Sequence, residues 1–149
     1  MKKTPQEYVI NLLKIRERSE GEIRQKMKLK GYFLEEVESV ISFMKERNFL
    51  DDSRFTKLYV RSKRLTGQYG KHSIRCRLKS FQIAEEVVEN ELAEITQEEE
   101  LVTAKNLAEK WLAKKQEKDR TYEKLGRFLI GRGFGFDLIK QVLAELIQK

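Results

Sequence analysis

Apolar residues recur at helical spacing along almost the whole chain, in short stretches separated by capping and turn signals. Thr4-Pro5-Gln6-Glu7 has the form of a capping box with proline at the first helical position. Val9, Leu12, Leu13 and Ile15 follow on one face, which predicts a helix to about Arg16. Ser19-Glu20-Gly21-Glu22 is a second capping box. It opens a helix whose face is Ile23, Met27 and the aliphatic stem of Lys30, with Gly31 as its stop. Leu34, Val37, Val40, Ile41 and Met44 predict a third helix ending near Asn48.

That three-helix pattern returns at a period of 51 residues. A shift of 51 pairs Ile23 with Ile74, Met27 with Leu78, Tyr32 with Ile83, Val37 with Val88 and Ile41 with Leu92. A shift of 102 pairs Ser19 with Thr121, Ile23 with Leu125, Met27 with Leu129, Gly31 with Gly133, Tyr32 with Phe134, Val37 with Ile139 and Ile41 with Leu143. One such unit is too small to bury much alone, so neighbours must stack. Ile23, Met27, Ile74, Leu78, Leu125 and Leu129 should therefore be buried at equivalent places. The expected boundaries are 1–49, 50–95 and 96–149. The middle unit opens at Asp51 or Asp52, and its first helix uses Phe55, Leu58, Tyr59 and Leu65. The third opens at the capping box Thr96-Gln97-Glu98-Glu99. Its first helix runs through Leu101, Ala104, Leu107, Ala108, Trp111 and Leu112 to a charged loop, Lys114 to Arg120. No segment alternates with period two for long, so the fold class is all-α.

Composition adds a direction. Charged residues are 37% of the 149 and the apolar set 40%, which suits narrow apolar stripes rather than one thick core. The net charge of +7 favours anionic partners. Although the chain has 24 acids, none lies in the 30 residues from Arg54 to Ile83, which hold nine cations. A solvated helix face would account for such a run, and so would a phosphate-bearing or acidic partner. The single cysteine, Cys76, excludes an internal disulfide and fits a reducing compartment. No leader and no membrane-spanning run is legible, so the expectation is a soluble, cytoplasmic protein.

On a helical projection Lys71, Arg75 and Lys79 form a stripe beside the inward face of Ile74, Leu78 and Phe81. The equivalent stripe is Glu20, Arg24, Lys28 in the first unit and the uncharged Tyr122, Gly126, Ile130 in the third. The units thus share a core but not a surface. The third helices open on Leu34-Glu35-Glu36, Ala84-Glu85-Glu86 and Phe136-Asp137, and acids there disfavour reading of a major groove. Tyr59, Tyr69 and Tyr122 could stack on bases or fill the core. Tyr69, in the Gly67–Gly70 turn, is the best placed to be exposed. His72 and Cys76 lie one helical turn apart, but two ligands do not make a metal site, and no metal or cofactor is expected. No phosphate loop, zinc-protease motif, dinucleotide fingerprint or plausible triad around His72 argues for catalysis.

Leu50-Asp51-Asp52-Ser53-Arg54-Phe55, then Tyr59-Val60-Arg61, then Gly70 with Ile74-Arg75 and Leu78, closely resemble the signature of the RecX regulatory proteins. Arg18-Ser19-Glu20 with Lys30-Gly31, and Leu129 with Arg132-Gly133-Phe134, resemble that family's first and last repeats. The resemblance implies three tandem three-helix (helix-turn-helix-like) repeats in a curved, elongated array. It also implies a bacterial cytoplasmic protein, not an enzyme, that binds the RecA–DNA filament and modulates the recombinase, usually negatively. Two departures stand out. Phe81-Gln82 occupies the turn where the family usually has Lys-Gly, and Lys71-His72-Ser73 follows the glycine where Pro-Arg-Arg is common.

The function expected is therefore regulation of RecA ATPase and strand exchange in DNA repair, recombination and the SOS response, by a monomer. The alternative is a stand-alone nucleic-acid-binding helical-repeat protein, in which case excess DNA would relieve its effect. The partners implied are the RecA filament and single- or double-stranded DNA. Arg61 and Arg75 fall on matching family positions. Arg64, Lys71, Arg77, Lys79, Arg24 and Lys28 complete the expected contact set on charge alone. Arg61, Arg75 and Lys79 are expected to face solvent, each without an acid nearby in sequence.

Overall fold

The computed structural model describes residues 3–147, and no strand occurs among them. The helices are α1 (Pro5–Ile15), α2 (Glu20–Lys30), α3 (Leu34–Glu46), α4 (Asp52–Thr66), α5 (Lys71–Ser80), α6 (Glu85–Leu92), α7 (Gln97–Lys114), α8 (Tyr122–Gly131) and α9 (Phe136–Leu146), with a 3-10 turn at Glu117–Asp119 inside the charged loop. The order is three helices, three times over.

Local chemistry sets the helix ends. The capping boxes at Thr4 and Ser19 form with both of their bonds. Asp51 caps α4, its Oδ1 accepting from the Ser53 and Arg54 amides at 2.9 and 3.1 Å. Thr96 accepts from the Glu99 amide at 3.1 Å, but the returning half of that box is absent. The Glu99 carboxylate is held by Arg64 instead.

The turn that closes each second helix needs left-handed backbone. Gly31 (φ 88°) and Gly133 (φ 92°) supply it, as their pairing in the sequence implied. The equivalent residue of the middle repeat is Gln82, and it adopts φ 61°. The departure from Lys-Gly thus changes the residue and leaves the turn intact, at the steric cost a side chain pays there.

All fifteen positions of the five apolar triplets are buried: Ile23, Ile74 and Leu125; Met27, Leu78 and Leu129; Tyr32, Ile83 and Phe134; Val37, Val88 and Ile139; Ile41, Leu92 and Leu143. The first helices follow the expected pattern less closely. Ile15, Leu58 and Leu65 are exposed, while Val60 is buried with Phe55.

The chain packs as two compact units, Met1–Leu58 with Leu78–Val88, and Tyr59–Arg77 with Glu89–Lys149. The residues of the middle repeat are divided between them. In the first unit Val9, Ile23, Met27, Val37, Val40, Ile41, Met44 and Leu50 form one core, and Phe55 meets Phe81 edge-on at 5.3 Å. In the second, Ala104, Leu107 and Ala108 of α7 pack on Leu125, Leu129, Ile139, Val142 and Leu143 of α8 and α9.

Each unit contains the same joint. In the first, the start of α2 sits on the turn after α5: the buried Ser19 hydroxyl accepts from the Glu22 amide and donates to the Phe81 carbonyl at 2.8 Å. In the second, the start of α5 sits on the turn after α8. The Gly70 amide donates to the Arg132 carbonyl at 2.8 Å and the His72 amide to the Gly133 carbonyl at 3.1 Å. In the second joint, amides at a helix start meet carbonyls of the turn that closes another helix, and in the first a serine hydroxyl takes their place. The residues involved correspond by the 51-residue shift: Ser19 to Gly70, Phe81 to Arg132, and Gln82 to Gly133.

Candidate nucleic-acid interface

The eight expected contact residues divide by what holds them. Arg24 and Arg75 are repeat-equivalent, and so are the acids that they grip. Arg24 Nε lies 3.0 and 2.9 Å from the two oxygens of Glu38. Arg75 Nε lies 2.5 Å from Glu89 Oε1, and its Nη2 lies 3.2 Å from Oε2. In both cases the hydrogen bond to the carboxylate is the main cause that lifts the guanidinium pKa above its ordinary value. These two arginines tie the second helix of a repeat to its third. The third repeat has Gly126 and Lys140 at the two places, so the pair is missing there.

Arg75 is thus half-buried and ion-paired rather than simply solvent-facing. The acid-free window runs along the chain, but Glu89 comes back to it in space, fourteen residues later on α6.

Arg64 is likewise held, its Nε 2.9 Å from Glu99 Oε2. The pair raises the arginine pKa and lowers that of Glu99. Lys71 is half-buried, and its amide donates to Glu100 Oε2 at 3.0 Å. Arg77 is exposed and bonds the Tyr59 side chain. Burial pushes the Tyr59 phenol up, and Arg77 opposes that shift. Lys28, Arg61 and Lys79 are exposed and form no ion pair with any described residue. Lys28 and Lys79 are again repeat-equivalent, with the exposed Ile130 as the third member.

Three side chains outside the expected set stand beside it. Lys63 Nζ lies 5.3 Å from the Tyr59 ring centroid and 5.0 Å from that of Tyr69. The Arg132 guanidinium lies 5.8 Å from the Tyr69 ring, and its Nη1 donates to Gln68 Oε1 at 2.8 Å. Lys63 was visible as part of the basic window, and Tyr69 as the aromatic residue of a glycine turn. Arg132 stood out only as part of the last-repeat motif, and only the joint brings it to Gln68.

His72 Nε2 and Cys76 Sγ approach to 3.7 Å on the exposed side of α5. Among the described residues no group of three or more His, Cys, Asp or Glu could hold a metal. No helix among them is long and apolar enough to cross a membrane.

The fold and the distribution of cations define a tandem three-helix-repeat protein with a basic surface. The chain belongs to the RecX family. The family model of the first three-helix domain of RecX matches residues 7–44, and that of the third matches residues 98–143. The Regulatory protein RecX of Vibrio vulnificus (strain CMCP6) is 36% identical over 137 residues, which cover 91% of this chain and 88% of that one. The Regulatory protein RecX of Clostridium botulinum (strain Eklund 17B / Type B) is 39% identical over 134 residues, 87% of this chain. Only 62% of the Clostridium protein is covered, so the chain spans about three fifths of the length of that relative. The crystal structure of RecX from Lactobacillus salivarius superposes with a TM-score of 0.81 over 95% of this chain and 94% of that one, at 21% identity. A second crystal structure, of a regulatory protein RecX, gives 0.83 over 94% of this chain and 71% of that one, at 24% identity. The likeness to the solved structures shows the tandem three-helix-repeat fold.

Proposed function

We propose that this chain is a cytoplasmic regulator of the RecA recombinase that binds the RecA–DNA filament and lowers its ATPase and strand-exchange activity. It acts as a monomeric binding module and performs no catalysis. Its repeats are 1–49, 50–95 and 96–149. Membership of the RecX family carries the proposal, and the basic positions support it. Of the eight expected contacts, Lys28, Arg61 and Lys79 carry the most weight. A cation without an internal acid has its whole charge to offer a phosphate or a carboxylate, whereas Arg24, Arg64 and Arg75 must first give up a carboxylate. Lys71 and Arg77 complete the set.

The test is a titration of the chain into RecA hydrolysing ATP on single-stranded DNA. The expected result is inhibition well below the DNA concentration that excess DNA does not relieve. A second arm compares the triple variant Lys28→Ala, Arg61→Ala, Lys79→Ala with the parent. These exposed changes should alter stability by less than about 0.5 kcal/mol each. Where the lost contacts are to single-stranded phosphates, the salt slope should fall by about 0.7 for each. No effect of the parent on RecA hydrolysis would refute the proposal.

A further inference from the structure

Within the second unit, the last turns of α4, the turn after it and the face of α5 enclose an open cavity of about 300 Å3. Tyr59, Lys63, Tyr69, Ser73, Ile74 and Arg77 line it. Its chemistry is narrow: two phenol rings, an ammonium, a guanidinium, a hydroxyl and one aliphatic side chain, with no carboxylate. The volume lies at the lower end of small-ligand sites, enough for one ring system and its attached group. The Lys63 ammonium stands near both rings, and Tyr69 is 39% exposed.

A ligand matching this lining must be flat and apolar on its faces and must carry a negative charge at its edge. An acidic peptide would satisfy the cations but leave the ring faces unused. A duplex keeps its base faces stacked within itself. A base of a single strand offers its face to an aromatic ring and carries a phosphate beside it. Base stacking outweighs an exposed cation–ring contact, so an entering base would displace the Lys63 ammonium from the rings towards that phosphate.

We propose that the Tyr59–Tyr69 cavity takes one unstacked base of a single-stranded nucleic acid, with Tyr69 as the stacking platform and Lys63 and Arg77 on the adjoining phosphate. The proposal deepens the filament reading, on which it rests for the choice of a nucleic-acid partner. It assigns the strand a place on the second unit.

Fluorescence anisotropy with a labelled oligothymidylate, an abasic strand of the same length and a duplex of that length tests it without RecA. Tyr69→Ala should weaken oligothymidylate binding by about ten- to a hundredfold. It should leave abasic-strand and duplex binding unchanged, and Tyr69→Phe should bind as the parent does. Lys63→Met should weaken oligothymidylate and abasic strand alike. If alanine lowers the melting temperature, Tyr69→Leu, which keeps the apolar bulk, takes its place. The proposal is overturned if a folded Tyr69 variant binds oligothymidylate like the parent, or if the parent binds both single strands equally or not at all. Competition by polyglutamate as effective as that by the strand would overturn it too. None of these outcomes touches the filament reading, which stands or falls on the RecA titration.

Discussion

The joint in the first unit and the joint in the second bring a helix start against a left-handed turn, but they make room for the approach differently. In the first, glycine stands on the helix: a Cβ at Gly21 would lie 2.5 Å from the Gln82 Cβ and 2.8 Å from the Phe81 carbonyl oxygen. The turn keeps a side chain, Gln82, at φ 61°. In the second, glycine stands at the cap and in the turn. A Cβ at Gly70 would overlap the Gly133 carbonyl and one at Gly133 would overlap Ser73, both far inside van der Waals contact. The hydrogen bonds differ in the same way. A serine hydroxyl makes the contact in one joint and two backbone amides in the other. What the two share is backbone proximity, and the side chains accommodate it as they can.

Substitution at the second joint should have the largest effect. Gly70→Ala drives a Cβ into the Gly133 carbonyl, and Gly133→Ala places a side chain at a positive φ as well as against Ser73, so each should destabilise the protein by about 3 kcal/mol in urea denaturation. Gly21→Ala should cost about 1–3 kcal/mol. Part of that loss should return in the Gln82→Gly background, because two of the three nearest atoms belong to the Gln82 side chain. Strict additivity of the two changes would refute this account of the first joint.

A smaller effect sharpens the contrast. Gln82→Gly alone relieves a left-handed side chain, and should stabilise the protein by about 1 kcal/mol, less the entropy that glycine adds to the unfolded chain. A lower melting temperature would mean that the Gln82 side chain contributes more than its strain costs.

The smallest effects are electrostatic and of opposite sign in the two units. In the second, Glu99 has a lowered pKa through its bond to Arg64. Its stabilisation is present above the ordinary carboxylate range and is lost as the pH falls through the lowered value. Glu99→Gln should therefore destabilise by less than about 1 kcal/mol near neutral pH and have no effect near pH 2. In the first, burial raises the pKa of Asp52, whose Oδ1 accepts from the Glu20 amide at 2.9 Å. Its ionised form is disfavoured on folding, and that penalty disappears as the pH falls below the ordinary carboxylate pKa. Asp52→Asn should match or exceed the parent near neutral pH, with the difference closing in acid.

The period of the sequence made the core legible, because burial acts on side chains and leaves apolar residues at fixed spacing. Ile23, Ile74 and Leu125 needed no structure to be aligned. The joints were not legible in that way. Each reaches a backbone carbonyl some 62 residues away, from a side chain in one joint and from amides in the other, and their glycines change sides, so no residue type recurs. The candidate surface lay between these cases. The basic window was plain in the sequence, but counting acids along the chain hid the Arg75–Glu89 pair. The same period would have disclosed it, since Arg24 and Glu38 map onto Arg75 and Glu89 by one shift. Lys63, Tyr69 and Arg132 converge only through tertiary packing.

The Gly21–Gln82 contact also bears on how such a chain can change through descent. In a protein with glycine at both positions, a side chain at either would meet less crowding than side chains at both, although the Phe81 carbonyl still presses on position 21 and the left-handed backbone still costs a side chain at position 82. Once Gln82 had arisen, a side chain at 21 became costlier, and a side chain at 21 would equally have raised the cost of Gln82. Two lineages could therefore arrive at the same fold with residues that fit poorly together, and a chimera joining the helix of one to the turn of the other would be less stable than either parent. The order in which substitutions occurred, rather than the merit of any one of them, would decide which residues this joint now tolerates.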